Sequence, residues 1–137
     1  MKIIWNYMFR ALNEIYWNNK IRCIPTFLNS LEGDMLGDFL HTPTGINSIH
    51  LADNQGLTQQ QMTGVLLHEM CHQSVFQKHG CEVDGHGKEW QDEMKFVGFV
   101  GEINEYTDGL NRFNDTDMTS MLKIYNRIIL LSKDEEC

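Results

Sequence analysis

Two histidines and a glutamate stand at H-E-x-x-H spacing in His68-Glu69-Met70-Cys71-His72. The run around them is apolar at helical intervals, and on a helix positions i and i+4 share a face about one turn apart. His68 and His72 can therefore aim two imidazoles at one point. Neutral imidazole nitrogen is a good ligand for zinc, which in catalytic sites keeps one coordination position open. Glu69 sits beside that position and can take a proton from an attacking water. With this chain's own His and Glu content the pattern arises by chance at a rate of about one or two per cent. A helix whose histidines only cap or pack is therefore the weaker reading.

Two histidines leave such a site one protein ligand short. His79 is nearest in sequence, but seven residues past His72 on an unbroken helix is about 10 Å along the axis, too far to share an ion. The metzincin continuation, which needs a glycine and then a histidine further along the helix, is excluded because Val75 and Lys78 occupy those places. Beyond Gly80, the segment Cys81-Glu82-Val83-Asp84-Gly85-His86-Gly87 sets glycines on both sides of His86. Their backbone freedom can bring His86 close beneath the helix, and His86 is the expected third ligand. Glu89, Asp92 or Glu93 would be carboxylate alternatives from the next helix. Glu82 or Asp84 could bind from the loop or orient an imidazole.

These residues need elements to hold them. Thr58 and Gln61 have the spacing of a capping box, so the motif helix is expected to start at Thr58 and run to about His79, with Gly80 just past its end. It should be the buried spine of the chain. Met62, Val65, Leu66, Glu69 and Met70 share one stripe, and His68 and His72 lie on an adjacent stripe with Gly64. Gly64 costs helix stability and implies that another segment approaches closely there. Residues 3–20 read as a first amphipathic helix through Ile4, Met8, Leu12 and Ile15, with Trp5, Tyr16 and Trp17 as packing residues. Three short strands follow at about 22–28, 33–40 and 45–52, with a turn at Thr42-Pro43-Thr44-Gly45. They are expected to form a small, mostly antiparallel sheet. His41 and His50, near strand ends, read as surface or hydrogen-bonded histidines. Residues 88–101 read as a helix with Trp90, Met94 and Val97 inward, joined by Phe96 or Phe99. Residues 102–116 read as a loop or lid, and 117–133 as a last helix through Met121, Leu122, Tyr125, Ile128 and Ile129. The fold class expected is α+β, a small sheet packed on the central H-E-x-x-H helix with flanking helices.

At 137 residues, 42% apolar and 22% charged, the composition is that of one globular domain. No apolar run is long enough to span a bilayer, and no signal peptide is read at the N-terminus. The four cysteines form no C-x-x-C pair, which excludes a zinc ribbon. They are read as reduced thiols in a cytoplasmic setting, with a Cys71–Cys81 bond as the disulfide alternative. Net charge is −8, with five acidic and four basic residues up to position 57 and fourteen and seven after it. Such a chain shows none of the basic stripe that releases counterions from phosphates.

The combination of His68-Glu69-Met70-Cys71-His72, a short loop, and Gly85-His86-Gly87-x-x-Trp90 resembles the SprT-like (Spartan-type) zinc metalloprotease domain family. There an H-E-M-x-H helix precedes a G-H-G-x-x-F/W element that carries a third histidine. The resemblance covers about residues 10–100 and matches the order of leading helix, sheet, motif helix, histidine loop and helix. It implies zinc bound by His68, His72 and His86, Glu69 as general base, and hydrolysis of peptide bonds, in some relatives of proteins crosslinked to DNA. Two features depart from the pattern: the cysteine zinc ribbon of many bacterial relatives is missing, and the acidic charge gives DNA association no support.

The leading expectation is thus a zinc-dependent endopeptidase acting on protein or peptide. Tyr106 or Tyr125 would be the candidate donor to the oxyanion. The rivals are a non-catalytic zinc-site protein whose acidic surface binds a partner, and a zinc hydrolase acting on a non-peptide bond.

Overall fold

The computed structural model describes residues 4–99, 102–104, 106–110 and 118–131, with side chains in the last stretch from residue 123. Its elements run α1 (Ile4–Trp17), β1 (Thr26–Asn29), β2 (Gly37–His41), β3 (Asn47–Ala52), α2 (Gln59–His79), α3 (Lys88–Phe96) and α4 (Met118–Leu131). The class is α+β, with a three-stranded sheet and four helices among the described residues.

α1 buries Trp5, Met8, Phe9 and Leu12, the i, i+3, i+4, i+7 stripe of an amphipathic helix. Ile4 and Ile15 lie at its half-buried margin. The helix ends where Asn18 and Asn19 adopt positive φ and Asn13 turns inward, its amide exchanging hydrogen bonds of 2.7 and 3.1 Å with the backbone of Ile21.

The sheet is mixed, in the order β1-β3-β2. β2 and β3 form the expected antiparallel hairpin, its turn closed by Thr42, whose hydroxyl donates to the Ile46 carbonyl and accepts from its amide. β1 pairs with β3 in parallel, in the register Thr26↔Ile49 to Asn29↔Ala52. That corrects the expected mostly antiparallel sheet. Alternation of apolar and polar residues encodes which face of a strand is buried; it carries no information on which neighbour a strand takes or in which direction. Here the hairpin occupies one edge of β3, so β1 takes the other.

Gly37, Phe39 and His41 share the β2 face paired with Asn47, Ile49 and, at the far end, Leu51. This face packs on α2. The cap of α2 forms as expected: Thr58 accepts from the Gln61 amide at 3.1 Å, and the Gln61 side chain accepts from the Thr58 amide at 2.9 Å. From Thr63 to Cys71 every residue of α2 is buried. A helix enclosed on all sides needs no single apolar stripe; β2 and β3, α1 and α3 each cover part of it.

The close approach expected at Gly64 is made by Gly109. A methyl group built on Gly109 would run into the Gly64 backbone and stand 2.7 Å from the Val65 nitrogen. Backbone cannot yield as a flexible side chain does, so Gly109→Ala is expected to destabilise by about 1–3 kcal/mol. A lower urea midpoint at unchanged m-value would show it.

α4 packs on α1, with Ile124 fully buried and Arg127 ion-paired to Glu14. Ile128 packs on the core as expected, but Tyr125 and Ile129 are exposed, and the stripe is completed by Ile124 and Leu131 instead. In a run such as Ile128-Ile129-Leu130-Leu131 two phases fit the helical period equally, and contact with α1 selects between them. The expected Met121 and Leu122 lie outside the side chains described, as does much of the 102–116 loop.

Cys23 is disulfide-bonded, which corrects the expectation that all four thiols are reduced; sequence spacing cannot show which distant cysteines a fold brings together. Cys137 lies outside the described residues. No helix among the described residues is long and apolar enough to cross a membrane.

Candidate metal centre

His68, Glu69 and His72 lie in the enclosed middle of α2, where the backbone is rigid and the helical period sets the two rings one turn apart. The third ring arrives from the loop between α2 and α3. Gly80 ends α2 at φ 66°, a conformation that favours glycine, and its amide donates to the Phe76 carbonyl at 2.8 Å. The chain then doubles back through a tight turn in which the Gly87 amide donates to the Asp84 carbonyl at 3.1 Å. Neither Gly85 nor Gly87 has positive φ. Gly87 is needed for space, since a Cβ there would stand 3.0 Å from that of Asp84. The loop therefore reaches the helix by close packing, and of its glycines only Gly80 uses the left-handed region. Gln91 on α3 donates to the His86 carbonyl at 2.8 Å and holds the turn in place.

The Nε2 atom of His72 lies 3.2 Å from that of His68 and 3.1 Å from that of His86. Tetrahedral zinc with Zn–N bonds of about 2.0–2.1 Å sets its nitrogens about 3.3 Å apart, so these three could hold a metal ion. The hydrogen-bond count points the same way. His72 bonds to the Gly85 backbone, which engages the N–H of the neutral ring and leaves Nε2 as an acceptor. One lone pair cannot serve two neighbours, whereas a cation between the rings satisfies all three nitrogens.

Electrostatics favours the ligating form. Burial, reinforced by the neighbouring His72 and His86, pulls His68 down to about 3. Burial and the proximity of His86 pull His72 down to about 4, against the Gly85 hydrogen bond. Both rings are neutral near pH 7, as metal ligation requires. Glu69 is shifted the other way, up to about 8, first by burial and then by the charge of Asp38, with a backbone hydrogen bond from Phe39 opposing. Its carboxylate lies 3.8 Å from His68 Nε2.

These shifts give the metal-free protein a peaked pH–stability profile. Between pH 4.5 and 6.5 the unfolded chain holds a proton on each of His68 and His72 that the folded chain lacks, while folded Glu69 holds one that the unfolded chain lacks. The unfolded state binds more protons on balance, and stability rises with pH. Between 6.5 and 8, of these three groups only Glu69 differs, the extra proton is on the folded state, and its contribution to stability falls. Urea midpoints of the metal-free protein should therefore pass through a maximum near pH 6.5; a midpoint that climbs steadily to pH 8 would contradict this account.

Trp90 is fully buried under the three rings, with centroid distances of 4.8 Å to His68, 5.1 Å to His72 and 4.6 Å to His86, and lies nearly parallel to His72. Sequence reasoning placed Trp90 in the core but missed its role as floor of the cluster. α3 is anchored behind it by Glu93, which accepts from Trp17 Nε1 at 3.0 Å, from the Ser74 hydroxyl, and from Lys78 at 3.2 Å. Glu93 is thus engaged on the far side of α2 and does not join the histidines. Asp92 pairs with Lys88 at 2.7 Å, and Glu82, Asp84 and Glu89 are likewise absent from the cluster. His79 is exposed at the end of α2. His50 is hydrogen-bonded to Asn29 and Ser48, as expected.

A cleft of about 480 Å³ opens over the cluster, lined by Gly37, Phe39, His41, Phe76 and Val83 with Glu69 and the three histidines. His41, read from sequence as a surface or hydrogen-bonded histidine, is exposed and lines this cleft. A side chain at Gly37 would meet Val65 at 2.7 Å and the Glu69 carboxylate at 3.2 Å, so glycine lets β2 lie directly over that carboxylate. A second hollow of about 210 Å³ continues on the other side of His68 and His86, past Leu36, Tyr106 and Thr107. Of the two tyrosines considered as oxyanion donors, Tyr106 lines this second hollow rather than the cleft itself, and Tyr125 on α4 lines neither.

The SprT-like family model matches residues 5–113 of the chain. No match to the chain is found among curated proteins or among solved structures.

Proposed function

Since the chain belongs to the SprT-like family, we propose that it is a zinc-dependent endopeptidase with a zincin-like site. The observation that carries this reading is the convergence of three imidazole nitrogens beside a buried carboxylate within an open cleft. His68, His72 and His86 would hold the ion, with Trp90 fixing the planes of their rings. Zinc in such a site supplies Lewis acidity, which makes water a nucleophile near neutral pH and polarises a scissile carbonyl.

Glu69 is the general base. Its carboxyl is protonated near pH 7 when no metal is present, and a dication close by favours the charged form that can accept a proton. It takes the proton of the attacking water and passes it to the leaving amine. Tyr106, at the rim of the adjoining hollow, is the candidate donor to the developing oxyanion. β2 is an edge strand that lines the cleft, and an extended substrate segment can hydrogen-bond along such an edge. The family resemblance extends to proteins associated with DNA as substrates; the net charge of −8 favours a protein or peptide recognised without nucleic acid.

Chelation tests the proposal. Purified protein should contain about one zinc per chain, hydrolyse casein, lose that activity with 1,10-phenanthroline, and regain it on addition of zinc. Hydrolysis that survives complete metal removal, or a fully zinc-loaded protein that cleaves no protein or peptide, would overturn it.

A further inference from the structure

The cleft is asymmetric. On one side of the histidines its walls are rings. Phe76 lies four residues after His72, hence on the same face of α2 and about 6 Å further along the axis. Phe39 and His41 point from alternate positions of β2 toward the same helix. The His41 ring stacks on Phe76 at 4.3 Å and 25°, Phe39 meets Phe76 edge-on at 5.7 Å, and Phe39 and His41 lie 5.5 Å apart. Val75 and Val83 complete the apolar lining.

Concave apolar surface of this kind beside a reactive centre commonly receives a side chain. Phe39 and Phe76 are half-buried and His41 is exposed, and all three line the cleft. The rise of about 6 Å from His72 to Phe76 along α2 is close to the substrate's own repeat, since side chains on one face of an extended peptide recur every 6–7 Å or so. A carbonyl held at the histidines would thus set a neighbouring side chain over Phe76. No lysine or arginine lines the cleft among the described residues, while Asp38 does, so an acidic side chain there would meet a like charge and no basic partner side chain.

We infer that Phe39, His41 and Phe76 form the specificity subsite of this cleft, and that it takes a large apolar side chain, preferably aromatic, flanking the scissile bond. This rests on the endopeptidase reading above and names its substrate class.

The test uses the zinc-loaded full chain. A denatured-protein digest analysed by mass spectrometry should show Phe, Tyr, Leu and Met enriched at one position next to the cut. Two peptides that differ only by Phe or Ala at that position should differ in kcat/KM by at least about tenfold. Phe76→Ala and His41→Ala should each lower kcat/KM for the Phe peptide severalfold and narrow the Phe-to-Ala ratio. His41→Ala removes an exposed ring, so its result stands even where Phe76→Ala disturbs folding. Calorimetry with Glu69→Gln protein, which binds without turnover, should give tighter binding of the Phe peptide. Cut sites without apolar enrichment, or enriched in basic or acidic residues, overturn the subsite while hydrolysis stands. So does a Phe-to-Ala ratio unchanged in both variants. Preferential binding of the Phe peptide without hydrolysis by the parent protein supports the subsite and overturns the endopeptidase reading. Neither binding nor hydrolysis overturns both.

Discussion

Glu69→Gln protein should bind zinc with the stoichiometry of the parent and hydrolyse casein or peptide about 10²–10⁴-fold more slowly, the usual contribution of a positioned general base. The substitution keeps the size of the side chain and removes its ability to accept a proton. The three imidazole nitrogens that approach one another to 3.1 and 3.2 Å are untouched, so the loss should fall on kcat with the metal still in place. A second readout separates this role from a structural one. Glu69 is held up to about 8 by burial and by Asp38, so zinc binding near pH 7 should expel its proton. Calorimetric titrations in buffers of different ionisation enthalpy should record about one proton fewer released by the Gln variant than by the parent. Parent-like hydrolysis by the variant would end the assignment of Glu69 as base.

The second large effect belongs to His86. His86→Ala should lower zinc affinity by more than the 10–100-fold typical of losing only an outer-shell partner, and abolish hydrolysis with it. The variant is well suited to the question because His86 is exposed on a loop, whereas His68 is buried in the core. Its circular dichroism should match that of the metal-free parent, so a lost ion cannot be blamed on a lost fold. Unchanged zinc content would mean that another group closes the site, and the three-histidine arrangement would have to be abandoned.

Local signals in the chain had local consequences. Thr58 and Gln61 cap α2 as their spacing requires, because both partners lie within one turn and no other part of the molecule is needed. The i, i+4 spacing of His68 and His72 brings their rings together for the same reason. Gly64, a poor helix residue in the middle of a helix, announced a close neighbour, though it could not say that Gly109 was the one. His86 was legible only in outline: a short glycine-bounded loop limits where a histidine can go, but several carboxylates were equally within reach. The packing of Glu93 against Trp17, Ser74 and Lys78 takes one of them out of contention.

The remaining features depend on contacts between residues far apart in the chain. Whether β1 runs parallel to β3, which of two phases α4 turns toward α1, whether Cys23 meets another thiol, and that Trp90 floors the histidines while Phe39, His41 and Phe76 wall the cleft are settled by packing. Periodicity and capping act over one or two turns and were written in the order of residues. Strand partners, helix phase and the shape of a cleft follow from filling a common core at close-packed density, where each surface is chosen against all the others at once, and no stretch of chain carries that information alone.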